Sequence, residues 1–363
     1  MKLRSFIALT LVMLATLIVI GCSRPPTAVE PTQLATESGE TLRSLAAKQD
    51  MFIGSAVRPR ALSDEPLYRE VLAREFNIVM AEHVMKFAPL HPEREVYEFR
   101  DSDTTVEFAK EHDMQVIGHV LTWFHALPRW LREGDFTREE LMGILREHIN
   151  TVVGRYRGQI YAWDVVNEPL EADGALRETL WYKGIGPEYI DLALRWTKQA
   201  DPDTLLYIND YGEGLNSKSD SFYNLAKSLV ERGTPLDAVG FQAHIGFLSA
   251  KDAAEVAENM KRYADLGLEV FITEMDVPIT MFKGTREEQL AAQAQMYEDF
   301  LNVCIEAPNC DTFLMWGFTD RHSWLTGFTG GKSPLIFDEA YHPKPAYHAM
   351  MAELKQHVGS GAE

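Results

Sequence analysis

The chain has 363 residues, of which 46% are hydrophobic and 25% are charged, and its formal net charge is −19. This composition is typical of a globular protein with a large core. The negative charge argues against binding to nucleic acid or anionic lipid, both of which need a basic surface, and favours a neutral substrate.

The N-terminal segment predicts export. Residues 1–6 are basic, and residues 7–20 form an apolar run shorter than the roughly 20 residues that span a bilayer. The run leads into Gly21-Cys22, and the segment resembles the lipobox of bacterial lipoproteins, in which the cysteine is acylated. We therefore expect residues 1–21 to be a lipoprotein signal peptide, with ordinary cleavage nearby and an incidental Cys22 as the alternative.

Residues 22–40 predict a disordered tether, because they are rich in Pro, Thr, Glu and small residues. An acylated Cys22 would attach the exported protein to the bacterial cell envelope. Ser23, rather than aspartate, follows the cysteine and favours the outer membrane or cell surface. We expect contact with a membrane only through this anchor, and a monomeric globular part.

From about residue 40 onward, short apolar runs alternate with amphipathic helical stretches such as residues 137–156 and 286–304. The predicted strands are residues 52–57, 77–82, 116–123, 161–168, 205–210, 238–244, 270–277 and 312–320. Eight strands that alternate with helices predict an α/β fold, the (β/α)8 TIM barrel, as a single domain. A doubly wound open sheet is the rival, but no GxGxxG follows the first run and no phosphate loop is present.

Polar and aromatic side chains occur at the C-terminal ends of these runs. They are Glu82, His119, Trp123, Asn167, Glu168, Asn209, Tyr211, Gln242, His244, Glu274, Asp276, Trp316 and Asp320. Pro169 cannot continue a strand ladder, so Asn167 and Glu168 must lie at the tip of their strand. Because all strand ends of a barrel meet at one face, we expect these groups to share one site.

Each of these residues alone has an ordinary structural explanation. A single glutamate at a strand end is usually a cap or solvated, and a lone histidine usually belongs to the core. The sequence contains no HExxH or similar metal-ligand spacing, so we expect no metal and no cofactor. Trp123, Trp316 and Trp324 are either core residues or, at a mouth rich in carboxylates, platforms for sugar rings.

Glu168 and Glu274 predict glycoside hydrolysis, which needs two carboxylates on either side of the scissile bond. At about 5 to 5.5 Å apart, one attacks the anomeric carbon and the other protonates the leaving oxygen, with retention of configuration. His244, oriented by Asp276, would keep Glu274 ionised as the nucleophile. An apolar strand and a second carboxylate favour the protonated form of Glu168, as an acid/base catalyst requires, and Asn167 would donate to the sugar 2-hydroxyl.

From about residue 40 to 355 the chain resembles glycoside hydrolase family 10, the retaining endo-β-1,4-xylanases. The segments that carry the resemblance are AEHVMK, GHVLTWFHALPRWL, WDVVNEPL, INDY, GFQAH, ITEMDV, WGFTDRHSW and LIFDEAYHPKPAY. It implies a catalytic domain over residues 41–358 that cleaves internal bonds of xylan, a polysaccharide.

The resemblance also implies roles for individual residues. Glu168 would be the acid/base and Glu274 the nucleophile. The sugar about to be cleaved would be held by Lys86, His119, Trp123, Asn167, Gln242 and His244, between Trp316 and Trp324. Glu82 would contact the next sugar on the non-reducing side, and Tyr211 the leaving-group side. Asn209 and Asp276 are expected to support the site.

Three places depart from the family pattern, of which one is Gly212 in the loop after Asp210, where an asparagine is common. His83 replaces an asparagine, and Phe124-His125-Ala126 replaces His-Ser-Gln. His83 and Ala126 fall where the second glycone sugar would bind, and lost hydrogen bonds there would cost about 1 to 3 kcal/mol. We therefore expect the same chemistry with an altered glycone subsite, and keep a decorated xylan or another β-1,4-glycan as an alternative substrate. A glycan-binding lipoprotein without activity is the alternative of another class, and it has no need of both glutamates.

Cys304 and Cys310 are the cysteines that remain after the predicted signal. In an oxidising compartment they are expected to close a short loop as a disulfide. A metal site is the poorer interpretation, because no histidine lies nearby. Family 10 has counterparts of this pair.

Overall fold

The computed structural model describes residues 39–246, 252–327 and 332–360. The predicted signal peptide, Cys22 and all but the last two residues of the predicted tether lie outside these ranges. Within them, no helix combines the length and hydropathy needed to cross a membrane.

The described strands form a closed barrel in which each strand is parallel to its neighbours, in sequence order. The barrel closes where Phe52 and Ile53 of the first strand pair with Thr312 and Phe313 of the last. The strands are β1 (Phe52–Val57), β2 (Ile78–Ala81), β3 (Gln115–Thr122), β4 (Ala162–Asn167), β5 (Leu205–Asp210), β6 (Ala238–Phe241), β7 (Glu269–Met275) and β8 (Thr312–Met315). The predicted (β/α)8 barrel is confirmed, and an open doubly wound sheet is excluded.

Helices occupy most of the connections between strands. The α-helices are α1 (Leu42–Ala46), α2 (Pro59–Asp64), α3 (Pro66–Glu75), α4 (Phe87–Leu90), α5 (Arg100–Glu111), α6 (Arg129–Glu133), α7 (Arg138–Arg155), α8 (Leu180–Ile185), α9 (Tyr189–Ala200), α10 (Ser217–Glu231), α11 (Ala253–Ala264), α12 (Arg286–Glu306) and α13 (Pro345–Ser360). Short 3-10 helices cover Ala47–Gln49, Ile279–Met281, Asp320–His322 and Trp324–Gly327. The connections therefore alternate with the strands as a (β/α)8 fold requires.

The two amphipathic stretches singled out in the sequence form the long helices α7 and α12. Each begins with a capping box. Thr137 accepts a hydrogen bond from the backbone N–H of Glu140 at 3.3 Å, and the Glu140 carboxylate accepts one from the N–H of Thr137 at 2.8 Å. Thr285 and Glu288 repeat this arrangement at the start of α12. These reciprocal bonds satisfy orphan backbone donors and explain where both helices start.

Cys304, near the end of α12, forms a disulfide with Cys310, just before β8. Both residues are buried. The bond therefore closes the turn through which the chain enters the last strand of the barrel.

The inside of the barrel changes from apolar to polar along the strands. Its apolar core includes Met80, Ile117, Ala162, Tyr207, Ala238, Phe271 and Leu314. Because side chains alternate between the two faces of a strand, the residue two positions later also points inward. In β3, β4 and β5 those residues are His119, Asp164 and Asn209, all buried. The strand pattern thus places polar groups above a dry core, at the C-terminal ends.

Two strands end at least three residues before their apolar runs do, whereas β2, β3, β4 and β7 end only one or two residues early. The run over residues 238–244 contributes a strand only to Phe241, and the run over 312–320 only to Met315. Beyond these points the backbone enters the left-handed region, with φ of 59° at Ala243 and 102° at Gly317. Left-handed residues interrupt a ladder, so the later residues of both runs form the rim of the barrel.

Candidate active site

A cavity of about 430 Å³ lies at the C-terminal ends of the strands. It is lined by Glu82, His83, Lys86, His119, Trp123, His125, Asn167, Glu168, Gln242, His244, Glu274, Trp316 and Trp324. The volume is that of a small-ligand pocket. Among the described residues, no group of three or more His, Cys, Asp or Glu side chains is arranged to hold a metal ion.

Glu168 lies at the tip of β4 with a φ of 52°, in the left-handed region that side chains other than glycine rarely adopt. Its backbone N–H donates to the carbonyl of Asn209 at 2.7 Å, which holds this turn against β5. Gln242 Nε2 donates to Glu168 Oε1 at 3.2 Å and to Asn167 Oδ1 at 3.1 Å. One amide therefore aligns the two polar side chains that end the strand.

The loop after Glu168 is tied down by two cations. Arg177 Nε donates to the carbonyl oxygen of Glu168 at 3.1 Å, and Arg177 Nη2 to that of Leu170 at 2.9 Å. Asp210 Oδ2 accepts from the N–H of Leu170 at 3.2 Å, and Lys218 Nζ lies 2.7 Å from Asp210 Oδ1. Burial raises the pKa of Asp210 to about 7, against the lowering effect of Lys218. These bonds restrict the backbone that carries Glu168.

Glu274, on β7, is buried and held through both carboxylate oxygens. Asn209 Nδ2 donates to Oε1 at 2.7 Å, and His244 Nε2 lies 3.2 Å from Oε2. The other ring nitrogen of His244 forms an ion pair with Asp276 at 3.1 Å. Burial alone would lower the pKa of His244, but Asp276 and Glu274 outweigh it and raise the pKa to about 10. The imidazolium of His244 is thus held between the carboxylates of Glu274 and Asp276.

Asp164 is a member of this network that the sequence interpretation missed. It lies fully buried on β4, with Oδ2 at 2.9 Å from His119 Nδ1 and 3.3 Å from Asn209 Nδ2. Burial and the charge of Glu274 raise its pKa, and burial lowers that of His119, so both groups favour their neutral forms. The signal in the sequence was an aspartate inside an apolar run. Its contacts fix the ring of His119 at the cavity wall.

The Asn209 side chain needs space to reach the carboxyl groups of Asp164 and Glu274. A Cβ on Gly240 of β6 would lie 2.2 Å from Asn209 Oδ1. Thr273 Oγ1 donates to this same oxygen at 2.9 Å, which directs the amide NH₂ of Asn209 toward Glu274. Glycine at position 240 is therefore part of the support for the site.

Aromatic rings and one ammonium group form much of the remaining wall. Lys86 Nζ lies 4.6 Å from the centre of the Trp123 ring and 5.5 Å from that of Trp316. Burial lowers the pKa of Lys86, and the carboxylates of Glu274 and Glu82 oppose that effect. Trp324 Nε1 donates to Asp276 Oδ2 at 2.7 Å, so its ring is anchored to the same carboxylate as His244.

Some predicted site residues do not line the cavity. Tyr211 follows β5, and the ammonium of Lys218 lies 2.9 Å from the centre of its ring. Asn209 and Asp276 also lie outside the lining, where they support Glu274 and His244. Ala126 is likewise absent from the lining, and its carbonyl accepts from the N–H of Ala88.

The residues at the unusual positions 83 and 125 do line the cavity. Both side chains are exposed, and the ring centre of His125 lies 3.8 Å from that of Phe124. Phe124 in turn lies under the guanidinium of Arg177, at 4.1 Å. Two imidazoles therefore take part in the cavity wall beside Glu82 and Trp123.

A closed (β/α)8 barrel with Glu168 and Glu274 in one tryptophan-walled cavity is typical of one class of protein, the glycoside hydrolases. The sequence agrees in detail, because residues 41–353 match the profile of Glycosyl hydrolase family 10. The chain belongs to this family.

The similarity to known relatives extends over almost the whole barrel. The chain is 44% identical to Endo-1,4-beta-xylanase B of Thermotoga neapolitana, over 87% of this chain and 92% of the relative. The crystal structure of native xylanase 10B from Thermotoga maritima superposes with a TM-score of 0.84 at 43% identity, covering 88% of this chain and all of that one. Xylanase 10B from Thermotoga petrophila, in complex with xylobiose, gives a TM-score of 0.83 at 43% identity and covers 88% and 98% of the two chains.

Proposed function

We propose that this enzyme is a retaining endo-β-1,4-xylanase, with Glu168 as acid/base and Glu274 as nucleophile. The observation that carries the proposal is that both carboxylates, from β4 and β7, line one cavity. The names of the relatives and the xylobiose bound to one of them support xylan as the substrate.

The reaction proceeds by two displacements. Glu274 attacks the anomeric carbon while Glu168 gives its proton to the departing glycosidic oxygen, which breaks the bond and leaves a glycosyl ester on Glu274. Glu168 then removes a proton from water, the water oxygen bonds to the same carbon, and the ester breaks to restore the Glu274 carboxylate. His244 and Asn209 hold one oxygen each of the Glu274 carboxylate, which positions it for the first step.

The sugar at the scissile bond is held by polar groups with free hydrogen-bonding positions. Asn167 Oδ1 already accepts from Gln242, which leaves its NH₂ group to donate to a sugar hydroxyl. Lys86 provides an ammonium, and Trp123 and Trp316 provide apolar faces beside it. This mixture of donors and aromatic rings suits a neutral pyranose better than a charged ligand.

A product profile tests the proposal. With xylan, arabinoxylan, glucuronoxylan, glucomannan and mixed-linkage glucan, we expect cleavage of the xylans, with viscosity falling well before most reducing ends appear. When the reaction is followed by NMR, the newly formed reducing ends should at first have the β configuration. Release from chain ends alone, initial α-anomers or preference for a glucan would each contradict part of the assignment. No turnover of any substrate would favour a glycan-binding role.

A decorated xylan is the second candidate substrate, because His83 and His125 line the cavity near Glu82. A neutral imidazole both donates and accepts hydrogen bonds. Partial desolvation at the cavity wall lowers the pKa of both histidines, with a further contribution from the charge of Lys86, and this favours the neutral form. Faster cleavage of arabinoxylan or glucuronoxylan than of plain xylan in the same panel would support this substrate.

Export and lipid attachment at Cys22 are a separate proposal, which rests on the N-terminal sequence alone, with its basic and apolar segments and Gly21-Cys22. In a bacterial host fed a labelled fatty acid, the full chain should take up label and sediment with the envelope. The Cys22→Ser variant should lose both properties while keeping xylanase activity. Equal labelling of the two proteins would contradict acylation at Cys22.

A further inference from the structure

Glu82 is fixed to the end of β1 at two points. Its backbone N–H donates to the carbonyl of Val57, the last residue of β1, at 3.1 Å. Its side chain forms a two-pronged ion pair with the next residue, Arg58, with Nε at 2.5 Å from Oε2 and Nη2 at 2.7 Å from Oε1. Backbone and carboxylate are thus both held by neighbouring residues of one strand end.

The ion pair leaves Glu82 able to bind a sugar. A carboxylate offers about four lone-pair positions, and the guanidinium uses one on each oxygen. Glu82 lines the cavity, whereas Arg58 is absent from the lining. Arg58 therefore supports the carboxylate from outside the cavity, and acceptor positions remain for hydroxyl groups.

Charge gives the pair a second effect. The cavity already contains Glu168 and Glu274, so an unpaired Glu82 would add a further negative charge beside Lys86. A guanidinium in two-pronged contact neutralises that charge and fixes the plane of the carboxylate. Arg58 thus sets both the orientation of the Glu82 carboxylate and the net charge of this part of the cavity wall.

We infer that Arg58 is a specificity-determining positioning residue, which orients Glu82 for the second sugar on the non-reducing side of the scissile bond. The inference rests on the proposed function, in which Glu82 contacts that sugar. It predicts that Arg58 matters for substrates with two glycone sugars far more than for those with one.

The chain offers a matched control for a merely structural ion pair. Arg155 binds Asp103 in the same two-pronged way, with Nε at 3.0 Å and Nη2 at 2.5 Å. The side chains of this pair are 43% and 26% exposed, against 38% and 16% for Arg58 and Glu82. Neither Arg155 nor Asp103 lines the cavity. Exposed pairs of this kind usually contribute little to stability.

The test compares kcat/KM for an aryl β-xylobioside and an aryl β-xyloside. For Arg58→Met we expect the loss on the xylobioside to exceed the loss on the xyloside by about tenfold. Arg58→Lys should lie between, because an ammonium keeps the charge without the two-pronged geometry. Arg155→Met should change the two substrates alike. The Glu82→Ala variant should lose at least as much as Arg58→Met on the xylobioside, and the double variant should lose no more than Glu82→Ala alone.

Equal losses on both substrates, no loss, or additive losses in the double variant would overturn the inference. The same substrate bias in Arg155→Met would do so as well. Melting temperatures identify a variant that fails to fold, in which case Arg58→Lys provides the decisive comparison. A wild-type enzyme without activity on either glycoside would instead refute the proposed function.

Discussion

Replacement of Glu274 by alanine is expected to abolish turnover of every glycoside, by about 10⁴-fold or more, because no group remains to form the glycosyl ester. The effect should not depend on the leaving group, since the first step needs the nucleophile with any substrate. Steady-state rates on xylan and on an aryl β-xylobioside with a good leaving group provide the measurement. Appreciable activity on either substrate would remove Glu274 from the nucleophile role.

A control must separate lost chemistry from lost folding, because Glu274 is buried and bonded to Asn209 and His244. Glu75 is a comparable buried carboxylate outside the cavity, which accepts from Tyr347 at 3.0 Å. Glu75→Gln should keep activity within a few-fold of wild type, whatever its effect on melting temperature. Calorimetric binding of a xylo-oligosaccharide to Glu274→Ala would show that its cavity is intact.

The sequence was sufficient to predict the barrel and most of its mouth. In β3, β4 and β5 the apolar residues Ile117, Ala162 and Tyr207 are followed two positions later by polar ones, and strand geometry alone brings these together. Pro169 marked the end of β4, and so placed Glu168 at the rim. These inferences need only local periodicity and the rule that barrel strands share one active face.

Pairwise contacts across strands were beyond such reasoning. Arg58 and Glu82 are 24 residues apart, and Asp164 is 45 residues from His119. Their meeting depends on the register between strands and on side-chain rotamers, which no local pattern specifies. Asp164 was visible only as a charge within an apolar run. The left-handed turn at Ala243, which follows the early end of β6, was also unpredictable, because the residue in this conformation is not a glycine.

Replacement of Glu168 by alanine is expected to separate substrates by their leaving groups. Xylan has a poor leaving group that needs a proton, so its cleavage should fall by about 10² to 10⁴-fold. An aryl xylobioside with an acidic phenol needs no proton, so the glycosyl ester should still form and release a rapid burst of phenol. The second step should then be slow, because no base remains to activate water.

The slow second step allows a direct check on this assignment. A small anionic nucleophile such as azide needs no general base, so it should restore phenol release in Glu168→Ala and yield a β-glycosyl azide. The same addition to Glu274→Ala should not yield the β-product, because that variant cannot form the ester. Gln242→Ala is the matched variant for position alone, since Gln242 donates a hydrogen bond to Glu168 Oε1 but its amide is too weak an acid to protonate a leaving group. It should slow both substrates without a burst or azide rescue. Equal losses on xylan and the aryl glycoside in Glu168→Ala, with no burst, would show that Glu168 is not the proton donor.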